Sequence, residues 1–127
     1  MEPLLHGITT GKILEAFFNV YHELGYGFLE KVYENAMLIE LEEMGLACQA
    51  QQPISVFYHD ENVGEYFADI VVENKVIIEL KAVETISEQH EAQLINYLRA
   101  TNMEVGLLLN FGKKPQHKRK VFSNHRK

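Results

Sequence analysis

With 127 residues, 46% of them apolar and 24% charged, the chain can bury the core of one domain, and disordered or low-complexity classes are excluded. A formal charge of -6 argues on its face against handling nucleic acid, yet all 18 Asp and Glu lie in residues 1–112, while residues 113–127 hold seven Lys or Arg and no acid. A lone cysteine, Cys48, excludes an internal disulfide, and no apolar run approaches the ~20 residues of a membrane span.

In chain order, Ile13, Phe17, Val20 and Leu24 recur at helical spacing over residues 10–24, and Gly25 stops the helix. A second helix is expected from about Phe28 to Met44, ending at Gly45. Strands are expected over 46–52, Pro53–Tyr58 and Glu65–Val72, the last two joined by a polar turn over 59–62. Val76–Ala82 is a further strand after the turn Glu73-Asn74-Lys75. Thr85-Ile86-Ser87-Glu88 has the form of a capping box and opens a helix to about Ala100. Val105–Phe111, nearly all apolar, reads as a strand covered on both faces. Val121 and Phe122 in the basic C-terminal tail, 113–127, could add a last short strand. The order ααββββαβ(β) over a single domain, 1–127, implies an α/β (α+β) fold, with a central mixed sheet flanked by helices. The N-terminus lacks a secretory pattern, so a cytoplasmic setting is expected.

The strongest chemical signal is the stretch Tyr66–Glu84. Asp69 lies in an apolar strand, and Glu79 and Lys81, two apart on the next, project from one face. They either face solvent with Asp69 paired to a cation, or converge to hold Mg²⁺ with an ammonium beside a phosphate. Register separates the two. A two-residue turn would set Asp69 opposite Ile78, pointing away from Glu79, whereas a three-residue turn, Glu73-Asn74-Lys75, or a bulge sets Asp69 opposite Glu79. On the second helix Glu30 is centred on an arc of Tyr33, Met37, Leu41 and Met44, with Glu34 at its edge. Gln93 and Tyr97 stack four apart on the helix after Glu-x-Lys, with His90 nearly in line.

These pieces together resemble the PD-(D/E)XK nuclease superfamily, and Gln93-x-x-x-Tyr97 is similar to its RecB-type exonuclease branch. Gly27-Phe28-Leu29-Glu30-Lys31-Val32-Tyr33 resembles the small family named for its GxxExxY motif, a likeness that DIVVENKVIIELKAVE, HEAQLINYLRAT and VGLLLNFG extend over nearly the whole chain. Ala68 stands where the superfamily motif has proline, a position that holds no ligand. The resemblance implies a restriction-endonuclease-like core and a nuclease dependent on Mg²⁺ or Mn²⁺. It makes Asp69, Glu79 and the Leu80 carbonyl metal ligands, and Glu30 the upstream acid that completes the site. Lys81 would position water or stabilise phosphate charge, with Gln93 and Tyr97 in support.

The expected partner is nucleic acid, DNA ahead of RNA, met by Lys113, Lys114, Lys118, Arg119 and Lys120. The rival expectation is a binding or adaptor subunit of a larger repair or defence complex that keeps the fold without turnover. The apolar run Leu107–Leu109 leaves a homodimer open.

Overall fold

The computed structural model of the protein describes residues 4–127. Helices α1 (Gly7–Leu24) and α2 (Glu30–Glu43) lead into β1 (Cys48–Tyr58), β2 (Glu61–Val72) and β3 (Val76–Lys81). After them come α3 (Glu88–Arg99), β4 (Val105–Phe111), β5 (Pro115–Val121) and a short 3-10 turn, Asn124–Arg126. The five strands lie in chain order in one sheet. All neighbours are antiparallel except β3 and β4, whose parallel pairing requires the crossover that α3 supplies. This is the mixed sheet with flanking helices that the sequence implies.

Each face of the sheet has its own core. Ile13, Phe17, Tyr33, Met37 and Leu41 of α1 and α2 pack on Ile70, Ile78, Leu80 and Leu107. On the other face, Leu94 and Leu98 of α3 pack on Val71, Ile77 and Leu108. All seven residues of β4 are buried, as its unbroken apolar sequence predicts. Leu107–Leu109 is therefore covered within the chain and presents nothing to a second copy. No helix among the described residues is long and apolar enough to cross a membrane.

Three local expectations are corrected. Residues 46–52 and 53–58 are not two strands, because β1 runs through Pro53; β1 is an outermost strand, where the missing N–H costs no ladder bond. The turn after it is only His59-Asp60, both left-handed (φ 49 and 64), a geometry that suits the twist of a tight hairpin. The cap of α3 is Ser87, not Thr85. The Ser87 hydroxyl accepts from His90 N–H, and His90 Nδ1 accepts from Ser87 N–H.

Candidate active site

The chain leaves β2 through Glu73-Asn74-Lys75, with Glu73 and Asn74 left-handed (φ 54 and 53) and Lys75 N–H donating to the Val72 carbonyl at 2.9 Å. Val72 then faces Val76, Val71 faces Ile77 and Ile70 faces Ile78. Carried one residue further, this register sets Asp69 against Glu79, the pairing a three-residue turn was expected to produce. The backbone ladder stops at that step, and side chains replace it. Asp69 N–H donates to Glu79 Oε2 at 2.8 Å, and Leu80 N–H donates to Asp69 Oδ2 at 2.8 Å.

Across from Asp69 on the other side, β1 is irregular too. Ala50 faces Ile70 and Gln52 faces Ala68, but Gln51 between them is left out of the pairing, with φ 52. Both strands change face here. Ile70 packs under α1 and α2, whereas Ala68, two residues away, packs under α3; Cys48 and Ile54 divide in the same way. Strict alternation would keep each pair on one face. The switch turns Asp69 toward the gap between β2 and β3, away from either core.

Burial governs the charges. It pushes the Glu79 carboxyl up to about 8, with the Asp69 charge adding to the rise. Asp69 is raised by burial first, with Glu34 and Glu30 adding, while the Leu80 N–H and Lys81 oppose. Lys81, half-buried at the end of β3, draws both carboxyls down without an ion pair within 4 Å among the described residues.

The GxxExxY segment builds the entry to α2. Gly27 takes φ 110, a conformation open to glycine. Tyr33 is fully buried and stacks on Phe111 with ring centroids 4.1 Å apart. Its hydroxyl donates to the Gly25 carbonyl at 2.7 Å and accepts from Phe28 N–H at 3.2 Å. Glycine and tyrosine therefore fix the turn that leaves Glu30 as the first helical residue. Glu30 has the expected direction but not the expected depth. It is exposed at the first position of α2, whereas Glu34, one turn further along, is 4% exposed.

Glu34 and Gln51 are the residues sequence reasoning underrated or missed. Lys31 Nζ and Gln51 Nε2 both donate to the Glu34 carboxylate. With Glu30, Asp69 and Leu80 they line a cleft of about 190 Å³. Glu34 was visible at the edge of the apolar arc; nothing in the sequence marks Gln51, since glutamine rarely adopts a left-handed backbone.

On the opposite face, Tyr97 is buried, and burial pushes its hydroxyl up to about 12, with Glu79 and Asp69 adding. Gln93 lies beside it on the wall of a larger groove, while His90 serves the cap of α3. The basic residues are not one patch, because strand alternation divides them. Lys113 and Lys114 are exposed at the β4–β5 turn, and Lys113 shares a hollow with Glu30. Lys118 is exposed, Lys120 pairs with Glu91 at 2.6 Å, and Arg119 donates to the Leu5 carbonyl at 2.6 Å on the other face. Residues 115–121 are thus a full strand of the sheet.

No three side chains of His, Cys, Asp or Glu among the described residues converge tightly enough to enclose a metal by themselves. The oxygen donors gathered at the seam are two carboxylates and a carbonyl. A strand residue's N–H and C=O point the same way, so the Leu80 carbonyl shares the opening that its N–H faces.

A sequence profile described as PD-(D/E)XK nuclease superfamily matches residues 8–121. No curated protein matches the chain. Among solved structures, the crystal structure of SSO0001 is similar over 73% of this chain, with a TM-score of 0.55 and 14% identity. The chain spans 50% of that protein's length, and the likeness is one of fold.

Proposed function

The chain belongs to the PD-(D/E)XK nuclease superfamily, and from that premise we propose that it is a divalent-metal-dependent nuclease, with DNA preferred to RNA. Within the superfamily we place it with the GxxExxY proteins and near the RecB-type branch. The observation that carries the reading is the seam between β2 and β3. There Asp69 and Glu79 each spend one oxygen on a backbone N–H, and Oδ1 and Oε1 have no hydrogen-bond donor among the described residues.

This donor set fits Mg²⁺ or Mn²⁺, which favour oxygen, and a Mg²⁺ site ordinarily keeps several waters, so it needs no cage of three carboxylates. When bound, the metal supplies charge neutralisation at the phosphate and a more acidic water. Asp69, Glu79 and the Leu80 carbonyl hold it, and their backbone hydrogen bonds fix where the free oxygens point. Lys81, without a competing ion pair, orients the attacking water or balances phosphate charge. Glu30 reaches, from the start of α2, the cleft that Asp69 and Leu80 line, whereas Glu79 is not among its lining residues and alternates to the side of β3 that carries α3, where Tyr97 and Gln93 lie. Lys113, which shares a hollow with Glu30, and Lys114 next to it in the chain are the basic residues we assign to the substrate backbone. We also place the protein in the cytoplasm, in keeping with its lone cysteine, Cys48, whose thiol burial pushes up, with Glu42 and Glu73 adding.

One observation favours the rival reading of a non-catalytic adaptor: the carboxylates already act structurally by replacing ladder bonds. A panel of single- and double-stranded DNA and RNA, with Mg²⁺ and Mn²⁺, decides between them. Wild type should cut with metal only, and Lys81→Ala should cut at least about 100-fold more slowly at an unchanged Tm. Failure of wild type to cut any member sinks the nuclease reading.

A further inference from the structure

On the far side of the seam from the acidic cleft, a groove of about 730 Å³ runs between α3 and the outer half of the β1–β2 hairpin. Phe57 and Tyr66 of the hairpin form one wall; Gln89, Gln93 and Asn96 of α3 form much of the other. The chain carries 18 acids, yet none lines this groove, and its one charged residue is Arg99. Phe57 is 63% and Tyr66 48% exposed, although each has a large ring to bury. Tyr97 closes the inner end, its ring centroid 5.7 Å from that of Tyr66. Tyr97 belongs to the same buried cluster as Ala68, the chain neighbour of Asp69, so the inner end of the groove lies on the α3 side of the seam.

We propose that this groove seats an unpaired base of a single-stranded nucleic acid, stacked on Tyr66 and Phe57. The chemistry selects that occupant. An aromatic wall offers a π-face to any base, and stacking of this kind tolerates every sequence. The Gln89 and Asn96 carboxamides opposite carry both donors and acceptors, which match the edge of a base freed from its complement. No carboxylate lines the groove, Glu65 standing at its rim with Ser55 Oγ donating to it at 2.9 Å, and Arg99 is the lining charge that attracts the phosphates on either side. Inside a duplex both faces and the pairing edge of each base are already used, so intact double strand cannot enter. With a base seated here, the adjoining phosphate lies toward Asp69 and Glu79, which makes single strands the substrate class. That last step rests on the nuclease reading, while the binding itself does not.

The test follows binding and cleavage separately. Fluorescence anisotropy in Ca²⁺ measures affinity for a short labelled oligonucleotide, single-stranded or annealed to its complement, and the same oligonucleotides are incubated with Mg²⁺ or Mn²⁺ to read cleavage. The single strand should bind more tightly than the duplex. Tyr66→Ala and Phe57→Ala should each weaken single-strand binding roughly tenfold, as loss of one base–aromatic stack does, while Tyr66→Phe keeps it. Asn96→Asp, which adds a carboxylate without removing bulk, should weaken it as well. Equal binding of duplex, no binding of single strand, or indifference to Tyr66→Ala overturns the proposal. If aromatic-dependent binding stands but wild type cuts neither substrate, the nuclease reading fails and the groove survives.

Discussion

Strand β3 is held differently on its two sides. Toward β4 all six residues from Val76 to Lys81 are paired; toward β2 only Val76, Ile77 and Ile78 are. The complete side is the scaffold, buried and apolar. On the incomplete side the missing backbone partners are replaced by Asp69 and Glu79, so these carboxylates sit where the ladder lapses and are oriented by the amides left behind. The contrast teaches that carboxylates can be placed by interrupting a sheet, with their rigidity lent by the uninterrupted neighbour.

Asp69→Asn should break the contrast at its sharpest point. The amide still offers an oxygen to Leu80 N–H, so the fold should stand, with a Tm at or above wild type because a buried charge is gone. Cleavage should fall by at least about 1000-fold, and calorimetry should show metal binding lost. Equal loss of stability and activity would mean that the pair serves only the seam.

Next in size is a pH effect. Glu79 titrates near 8 in the folded chain against an ordinary 4.5, so between those values the folded state keeps a proton that the unfolded chain releases. Stability without metal should therefore fall as pH rises from about 4.5 to about 8, and Asp69 shifts in the same direction. At about 1.4 kcal/mol per pKa unit, the loss is on the order of a few kcal/mol. Mg²⁺, which favours the charged forms, should flatten the slope. Denaturant midpoints taken from pH 4.5 to 8.5 with EDTA or Mg²⁺ check this; a flat metal-free profile would contradict it.

The scaffold side gives the counter-test. A Cβ on Gly106 of β4 would lie 2.6 Å from Leu94 Cδ1 and 3.0 Å from its Cγ, in a fully buried position. Gly106→Ala should cost about 1–3 kcal/mol of stability, with cleavage per folded molecule unchanged. The smallest expected effect is that of Tyr33→Phe, which removes the hydrogen bonds to Gly25 and Phe28 and should cost about 1 kcal/mol. Cleavage should drop only a few-fold, as Glu30 loses part of its support.

Much of this arrangement was legible in the residues. Apolar patterning located the strands of the Asp69–Glu79–Lys81 stretch, and the spacing reduced the register of Asp69 against Glu79 to one question of turn length, which Glu73-Asn74-Lys75 answers. What was hidden depends on position along an element rather than around it. Helical periodicity gives the direction of Glu30 but not its exposure at the first position of α2, leaving Glu34 as the buried carboxylate. Pro53 reads as a break unless its strand is known to be outermost. Gln51 turns left-handed where β1 must follow the face switch at Asp69, a tertiary demand with no local signature.

The basic stretch has a consequence apart from any substrate. As β5 it is the last strand of the sheet, with no partner strand on one side among the described residues, and such a row of amides and carbonyls invites a strand from another molecule. Lys118, exposed on this border, meets an approaching copy with like charge, and Pro53 and the Gln51 irregularity blunt the opposite border. Both borders thus carry features that disfavour sheet-to-sheet aggregation.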